Sequence, residues 1–367
     1  MSLVNKFVLS IIALFFLFIF LILLSEGILY LRYKHNIPYL SLADSKMPYD
    51  CIYKPNLNFY YTGFGIRFKT NNYGIRREKN IEKKTHKDVC RILLYGDSVT
   101  CGYGVENNRT YSYLLENKMN KMSTKVKYEI LNTCRGWSPS TYAIHLKRDI
   151  PTFSPKKIIL QVELLNDLSD EAIITKYTKT DKFQLPETLS NYRYVLTWDE
   201  CLVSTLCPVG TPFLRTRLIS IFSHAIGYLF NRFNSNDFLS KNFYYFEGYE
   251  KRHITEDRIN KGFYRMFKTI KGIQDYCMSN NIDFLLILTP SKFMFNLNEY
   301  RDHSISVFKR AENEAAALGI NYISLRNAFE KEKNKNLFHD FCHPNIAGHQ
   351  VIANELYKTL TKPHTAL

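Results

Sequence analysis

RILLYGDSVTCG, residues 91–102, is the stretch whose reading decides the fold. Its opening residues are a short apolar run, the signature of a strand buried on both faces. Gly96-Asp97-Ser98 breaks the run, and Gly102 marks a second tight turn. In an α/β sheet, groups that do chemistry collect just beyond the carboxyl ends of the strands. Ser98 sits at such an end, where flanking glycines let the backbone present its hydroxyl to a cleft. A Gly-Asp-Ser turn is common, so the case depends on what the rest of the chain brings to the same edge.

Outward from this strand the pattern alternates. Residues 110–122 place Tyr111, Leu114, Leu115, Met119 and Met122 on one helical face, and VKYEIL (126–131) reads as a strand. A helix over 139–148 and the strand KIILQVEL (157–164) follow. A long helix over 255–277 carries Ile259, Phe263, Met266, Phe267, Ile270 and Ile273 at helical spacing. Beyond it come the strand DFLLIL (283–288) ended by Pro290, a helix over 307–318, the strand INYISL (320–325), and a last helix bearing Ile352, Leu356 and Leu360. Apolar strands alternating with amphipathic helices imply a parallel sheet covered on both faces. The expected fold is therefore α/β: three layers, α/β/α, around a five-stranded parallel, flavodoxin-like sheet. More than a hundred residues separate the third strand from the fourth, where a crossover needs about a dozen. Residues 171–253 are therefore expected as an insertion. Its amphipathic segment, with Leu214, Leu218, Ile221, Phe222, Ala225, Leu229 and Phe230 on one face, fits a helix packed on the domain, a lid, or a helix lying in a membrane plane.

Three further groups fall at strand ends or before a helix. Asp340-Phe341-Cys342-His343-Pro344 precedes the last helix; an aspartate three residues before a histidine can orient an imidazole as base for a serine. An N-cap aspartate beside a surface histidine would look the same. Leu164-Leu165-Asn166-Asp167 follows the third strand, and Asn166 can donate to an oxyanion. Asn132-Thr133-Cys134-Arg135-Gly136 follows the second, and Gly136 can offer a backbone N–H to the same oxygen. Asn and Gly are also ordinary loop residues.

The order of these four blocks resembles the SGNH/GDSL hydrolase family over residues 91–360, leaving out the insertion. The resemblance implies Ser98 as nucleophile, Asp340 and His343 as its partners, and Ser98, Gly136 and Asn166 as the oxyanion hole. It departs at Leu164, where the family's third block carries glycine, and has GDSV in place of GDSL. Thr70-Asn71-Asn72-Tyr73-Gly74-Ile75-Arg76 is similar to a segment of anchored bacterial members that act on the cell envelope. The resemblance implies no cofactor and no metal, and the eight cysteines contain no C-x-x-C. Cys90, Cys134 and Cys277 read as small buried hydrophobes, and Cys201 and Cys207 as a pair that can oxidise outside the cytoplasm.

Residues 7–24, FVLSIIALFFLFIFLILL, hold no charge and would rise about 27 Å as a helix. That length predicts an uncleaved transmembrane anchor in preference to a signal peptide, since no A-x-A-like site follows. The expected organisation is an anchor over 1–34, a neck with a β-hairpin over 35–89, and the hydrolase domain over 90–362. Lys6 before the segment and Arg32 and Lys34 after it weakly favour a cytoplasmic domain; the resemblance implies the extracytoplasmic side, as a single-pass membrane protein.

Lys and Arg number 49 against 34 Asp and Glu, a net +15. That favours anionic partners, but no basic arm or nucleic-acid motif stands out, so nucleic acid is excluded as the main partner. The expected function is a serine hydrolase acting on ester-linked acyl groups of an envelope glycan or lipid. The alternatives are an O-acyltransferase using the same triad on a cell-surface polysaccharide and a non-catalytic envelope binding or assembly protein. The bilayer, the glycan or lipid ester and a membrane acyl-transfer protein are the expected partners.

Overall fold

A computed structural model describes residues 3–32, 53, 55–61, 66–83, 85–123, 125–133, 135–136, 138–173, 176–190, 256–295 and 301–362. The chain divides into two units, residues 1–40 with 194–240, and residues 41–193 with 241–367. In the first, the described element is α1, Leu3–Arg32.

The expected membrane anchor is corrected here: among the described residues no helix is long and apolar enough to cross a membrane. The bilayer as partner and the single-pass membrane localisation rested on that anchor and are withdrawn with it, as are the membrane acyl-transfer partner and the extracytoplasmic placement of a membrane-held domain. The amphipathic helix expected over 214–230, Cys201 and Cys207 lie outside the described residues.

The second unit begins with a hairpin of β1 (Asn58–Tyr61) and β2 (Ile66–Lys69), within the stretch expected as a neck. Then come β3 (Val89–Tyr95), α2 (Ser98–Cys101), α3 (Tyr111–Met122), β4 (Lys127–Asn132), α4 (Pro139–Phe153) and β5 (Lys157–Glu163). Helix α5 (Leu164–Ile173) and a second hairpin, β6 (Lys176–Thr180) with β7 (Pro186–Ser190), follow. The chain closes with α6 (Glu256–Ser279), β8 (Asp283–Thr289), α7 (Arg301–Ala317), β9 (Tyr322–Ser324), α8 (Arg326–Lys331) and α9 (Ile346–Thr361).

Five strands form one sheet in the order β4-β3-β5-β8-β9, every pair parallel. The three-layer α/β/α fold with a five-stranded parallel sheet is therefore present. The order doubles back beside β3, the switch point at which such sheets place their sites. Side chains alternate between two cores. Leu93, Tyr95, Ile158, Leu160, Leu286 and Leu288 face α4, α6 and α7. Ile92, Leu94, Ile159, Leu285 and Ile287 face α3, α8 and α9. Each fully buried Leu or Ile contributes about 1.5–3 kcal/mol, so a one-residue slip of β3, which would exchange its faces, is strongly disfavoured.

One buried polar group on the α3/α9 side sets a pH limit. His349 of α9 is fully buried and stacks on Tyr111, and its Nδ1 accepts the Tyr111 N–H at 3.2 Å. Burial first, then the charge of Arg76, lowers its pKa from 6.5 to about 3. The unfolded chain therefore binds one more proton than the native one between these values. The stability His349 adds is complete above about pH 6.5 and is lost as pH falls toward 3, by up to about 1.4 kcal/mol per pH unit. His349→Gln keeps an acceptor for the Tyr111 N–H. Urea unfolding across that window should show a pH slope shallower by up to one proton than in the parent. Equal slopes would mean that His349 is not held neutral.

Candidate active site

Ser98 opens α2 directly beyond β3. The Asp97 side chain caps that turn by accepting the Val99 N–H at 2.9 Å, and Gly102 ends it in the left-handed region at φ 78°. Gly96 is required by close approach, since a Cβ there would stand 2.5 Å from the Gln161 Oε1 and nearer still to the Thr100 hydroxyl. A single helical turn is unstable alone, so α2 depends on what grips both its ends. Cys101, its last residue, is disulfide-bonded.

The histidine arrives on a tight loop before α9. His339 N–H donates to the His343 carbonyl at 2.8 Å, Asn345 N–H to the Leu337 carbonyl at 2.9 Å, and Lys292 N–H, just past β8, to the Phe341 carbonyl at 2.8 Å. Inside the loop Asp340 divides its oxygens. Oδ1 accepts the backbone N–H groups of Cys342, at 3.0 Å, and of His343, at 2.8 Å. Oδ2 lies 2.6 Å from His343 Nδ1. The other ring nitrogen, Nε2, lies 2.8 Å from Ser98 Oγ. With Nδ1–H donating to the carboxylate, Nε2 is left to accept the serine proton. The Tyr103 ring lies 4.5 Å from the His343 ring, and the buried Cys342 Sγ is 3.6 Å from Nδ1 and 3.9 Å from Nε2.

The electrostatics favour a charged imidazole once a proton arrives. Burial would lower the His343 pKa, but Asp340, with smaller contributions from Asp97 and Glu163, raises it above 6.5. Burial likewise works to raise Asp340, yet the His343 charge and hydrogen bonds from His343 and the Cys342 N–H hold that carboxyl at about 2.

Gly136 is buried with φ 83°; a side chain there would meet Thr141 and Tyr142 of α4 at 2.6–2.7 Å. Its loop is fixed by Arg135, which pairs with Asp149 at 2.5 Å and donates to the Tyr73 carbonyl at 3.0 Å. Asn166 falls within the first turn of α5, where a loop was expected. That helix start is fastened by Asp167, which accepts the Glu163 N–H at 2.7 Å and the Tyr142 hydroxyl at 2.8 Å. Burial, then the Asp97 charge, raises Asp167 well above the usual carboxylate range. Among the expected residues, the structure thus joins Ser98, His343 and Asp340 by hydrogen bonds and sets Gly136 and Asn166 just past β4 and β5. Sequence reading passed over Glu163, Asp97 and Tyr103. Glu163 carried one signal, a carboxylate at the carboxyl end of a largely apolar strand.

One metal-ligand grouping occurs among the described residues, Asp340, Cys342 and His343. Asp340 and His343 spend those atoms on each other and on Ser98, so the grouping is better explained without an ion.

No family model matches the chain, and no curated protein matches it. Solved structures with some likeness include LAE5, an alpha/beta hydrolase enzyme from the metagenome of Lake Arreo, Spain. It is 14% identical, with 76% of this chain and 99% of that one covered and a TM-score of 0.41. The acetylxylan esterase Axe2 from Geobacillus stearothermophilus is 11% identical, covering 76% and 98%, with a TM-score of 0.43. The acetyl xylan esterase AlAXEase is 14% identical, covering 74% and 99%, at 0.41. The membership expected from the four blocks, an SGNH/GDSL hydrolase of the membrane-anchored envelope type, is withdrawn, since no family model matches the chain. With it go the SGNH/GDSL enzyme class and the SGNH, GDSL and transmembrane descriptors drawn from it. Likeness at this level carries no argument about chemistry, which rests on the geometry of Ser98, His343 and Asp340.

The raised His343 pKa has a readout. A base must be neutral, so reaction of Ser98 with a fluorophosphonate should fail on the acid side with a midpoint above pH 6.5. Glu163→Gln removes a charge that raises His343, and should move that midpoint to lower pH. A midpoint that stays in place would show that Glu163 does not act on the base.

Proposed function

We propose that the chain is a serine hydrolase acting on ester-linked acyl groups. The observation that carries this reading is the continuous relay from Ser98 Oγ through His343, at 2.8 Å, to Asp340, at 2.6 Å. In the first half-reaction Ser98 Oγ attacks the ester carbonyl carbon while its proton passes to His343 Nε2. The C–O bond then breaks, the imidazolium returns the proton to the leaving alcohol, and an acyl-serine remains. Water repeats the sequence on the acyl-serine and releases the acid. Asp340 keeps the proton on Nδ1 and stabilises the imidazolium without being protonated itself; its depressed pKa suits that task.

For the oxyanion we assign the Ser98 N–H at the start of α2, the Gly136 N–H and the Asn166 amide. The left-handed Gly136 backbone, in a loop pinned by Arg135, supports the second assignment. The start of α5 just past β5, held by Asp167, supports the third. An acylated glycan or lipid as the ester belongs to this proposal as its finer part.

Turnover of p-nitrophenyl acetate and of an acetylated oligosaccharide, with fluorophosphonate labelling, tests the assignment. Ser98→Ala should abolish labelling and turnover. Asp340→Asn keeps an oxygen for the loop's N–H groups but loses the acceptor for Nδ1, and should lower turnover by up to ~10⁴-fold. Asn166→Ala should leave labelling detectable and slow turnover roughly 10²–10³-fold. Parental activity in Ser98→Ala would dispose of the proposal.

A further inference from the structure

The geometry points to Arg76 as a positioning residue for the nucleophile, acting through the backbone that follows Ser98. The inference rests on the serine-hydrolase reading and adds a device upstream of the first sheet strand. Arg76 is buried. Its Nη1 donates to the carbonyls of Gly102, at 2.6 Å, and Cys101; Nη2 donates to Val105; Nε donates to Asn107 Oδ1 at 3.1 Å. No carboxylate pairs with it among the described residues. One guanidinium thus gathers three carbonyls and an amide oxygen from residues 101–107, the chain leaving α2.

Two consequences follow for the reacting atoms. The carbonyls at the end of α2 are the negative end of a one-turn helix whose positive end carries Ser98, and a cation there stabilises the turn. The gripped segment also reaches the base: Tyr103 lies against the His343 ring, and a Cβ on Gly104 would stand 2.7 Å from the His339 ring. Holding residues 101–105 therefore fixes the start of α2 against the loop that supplies His343.

Arg76 is itself held. Its N–H donates to the Asn132 carbonyl at 3.1 Å, and Asn132 Nδ2 donates to the Thr100 carbonyl at 2.6 Å. Three residues earlier, the Tyr73 carbonyl receives Arg135, the neighbour of Gly136. Residues 70–76 thus touch both the nucleophile turn and the Gly136 loop. Burial first lowers the Arg76 pKa from 12.5 to about 9, which leaves it charged at neutral pH.

Arg76→Lys and Arg76→Ala test the inference. A lysine offers one nitrogen and cannot reach four acceptors in a plane. Arg76→Lys, checked as folded by circular dichroism, should lose about 10–100-fold in kcat on p-nitrophenyl acetate, with KM within about 2-fold, because displacement of a reacting atom by about 1 Å costs up to 10²-fold. In Arg76→Ala, millimolar guanidinium should restore part of the lost rate and of the Ser98 labelling, and should restore nothing in Asp340→Asn. Wild-type kcat in folded Arg76→Lys would overturn the inference, as would a loss confined to KM. If Arg76→Ala does not fold, Arg76→Lys decides alone. A parent that is not labelled at Ser98 would sink the hydrolase reading itself, whereas a labelled parent with equally fast Arg76→Lys would sink only the role of Arg76.

Discussion

The site depends on how one carboxylate spends its two oxygens. Asp340 Oδ1 closes the turn by accepting two backbone N–H groups, and Oδ2 orients the imidazole. The group that builds the loop is thus the group that fixes the tautomer. Everything else brings the serine to that imidazole. The sheet order puts β3 beside the switch point, Asp97 caps the turn, and Asn345 caps α9 by accepting the Ala347 N–H at 2.9 Å and the Gly348 N–H at 3.2 Å.

The sheet was legible because its strands are short apolar runs between breakers, and burial on two faces leaves few other readings for such runs. Ser98, Asp340 and His343 were legible because their spacing within each block is local. Asn166 was placed correctly past β5 but in the wrong element. Leu164 extends the apolar run, so the eye carries the strand one residue too far, while Asp167 reaches back to the Glu163 N–H and starts a helix without a loop. The hairpin of β6 and β7 lay inside the expected insertion for a similar reason. Its turn has no glycine: Asp181 Oδ1 organises it through the N–H groups of Phe183 and Leu185, and Gln184 takes φ 62°.

What the sequence could not convey were the long-range polar partners. Arg76 sits in a segment noted only for its likeness to other proteins, and its acceptors are backbone carbonyls, which every residue has. Glu163 acts on His343 from a strand far away in sequence. The anchor failed for a different reason: among the described residues no helix is both long and apolar enough to cross a membrane.

Cys342 is buried beside the relay, its Sγ 3.6 Å from His343 Nδ1 and 3.9 Å from Nε2. Sulfur is ordinarily the easier atom to ionise, so proximity alone would let it compete with Ser98. Burial, and then Asp340, Glu163 and Asp97, raise its pKa far above the usual thiol value. The last three are the charges that make His343 more basic. One field therefore acts with opposite effect on two neighbours: it strengthens the base that serves the hydroxyl and keeps the thiol protonated. The choice of oxygen over sulfur is thus made first by the burial of the thiol and then by the carboxylates around the site, which raise the base and the thiol together.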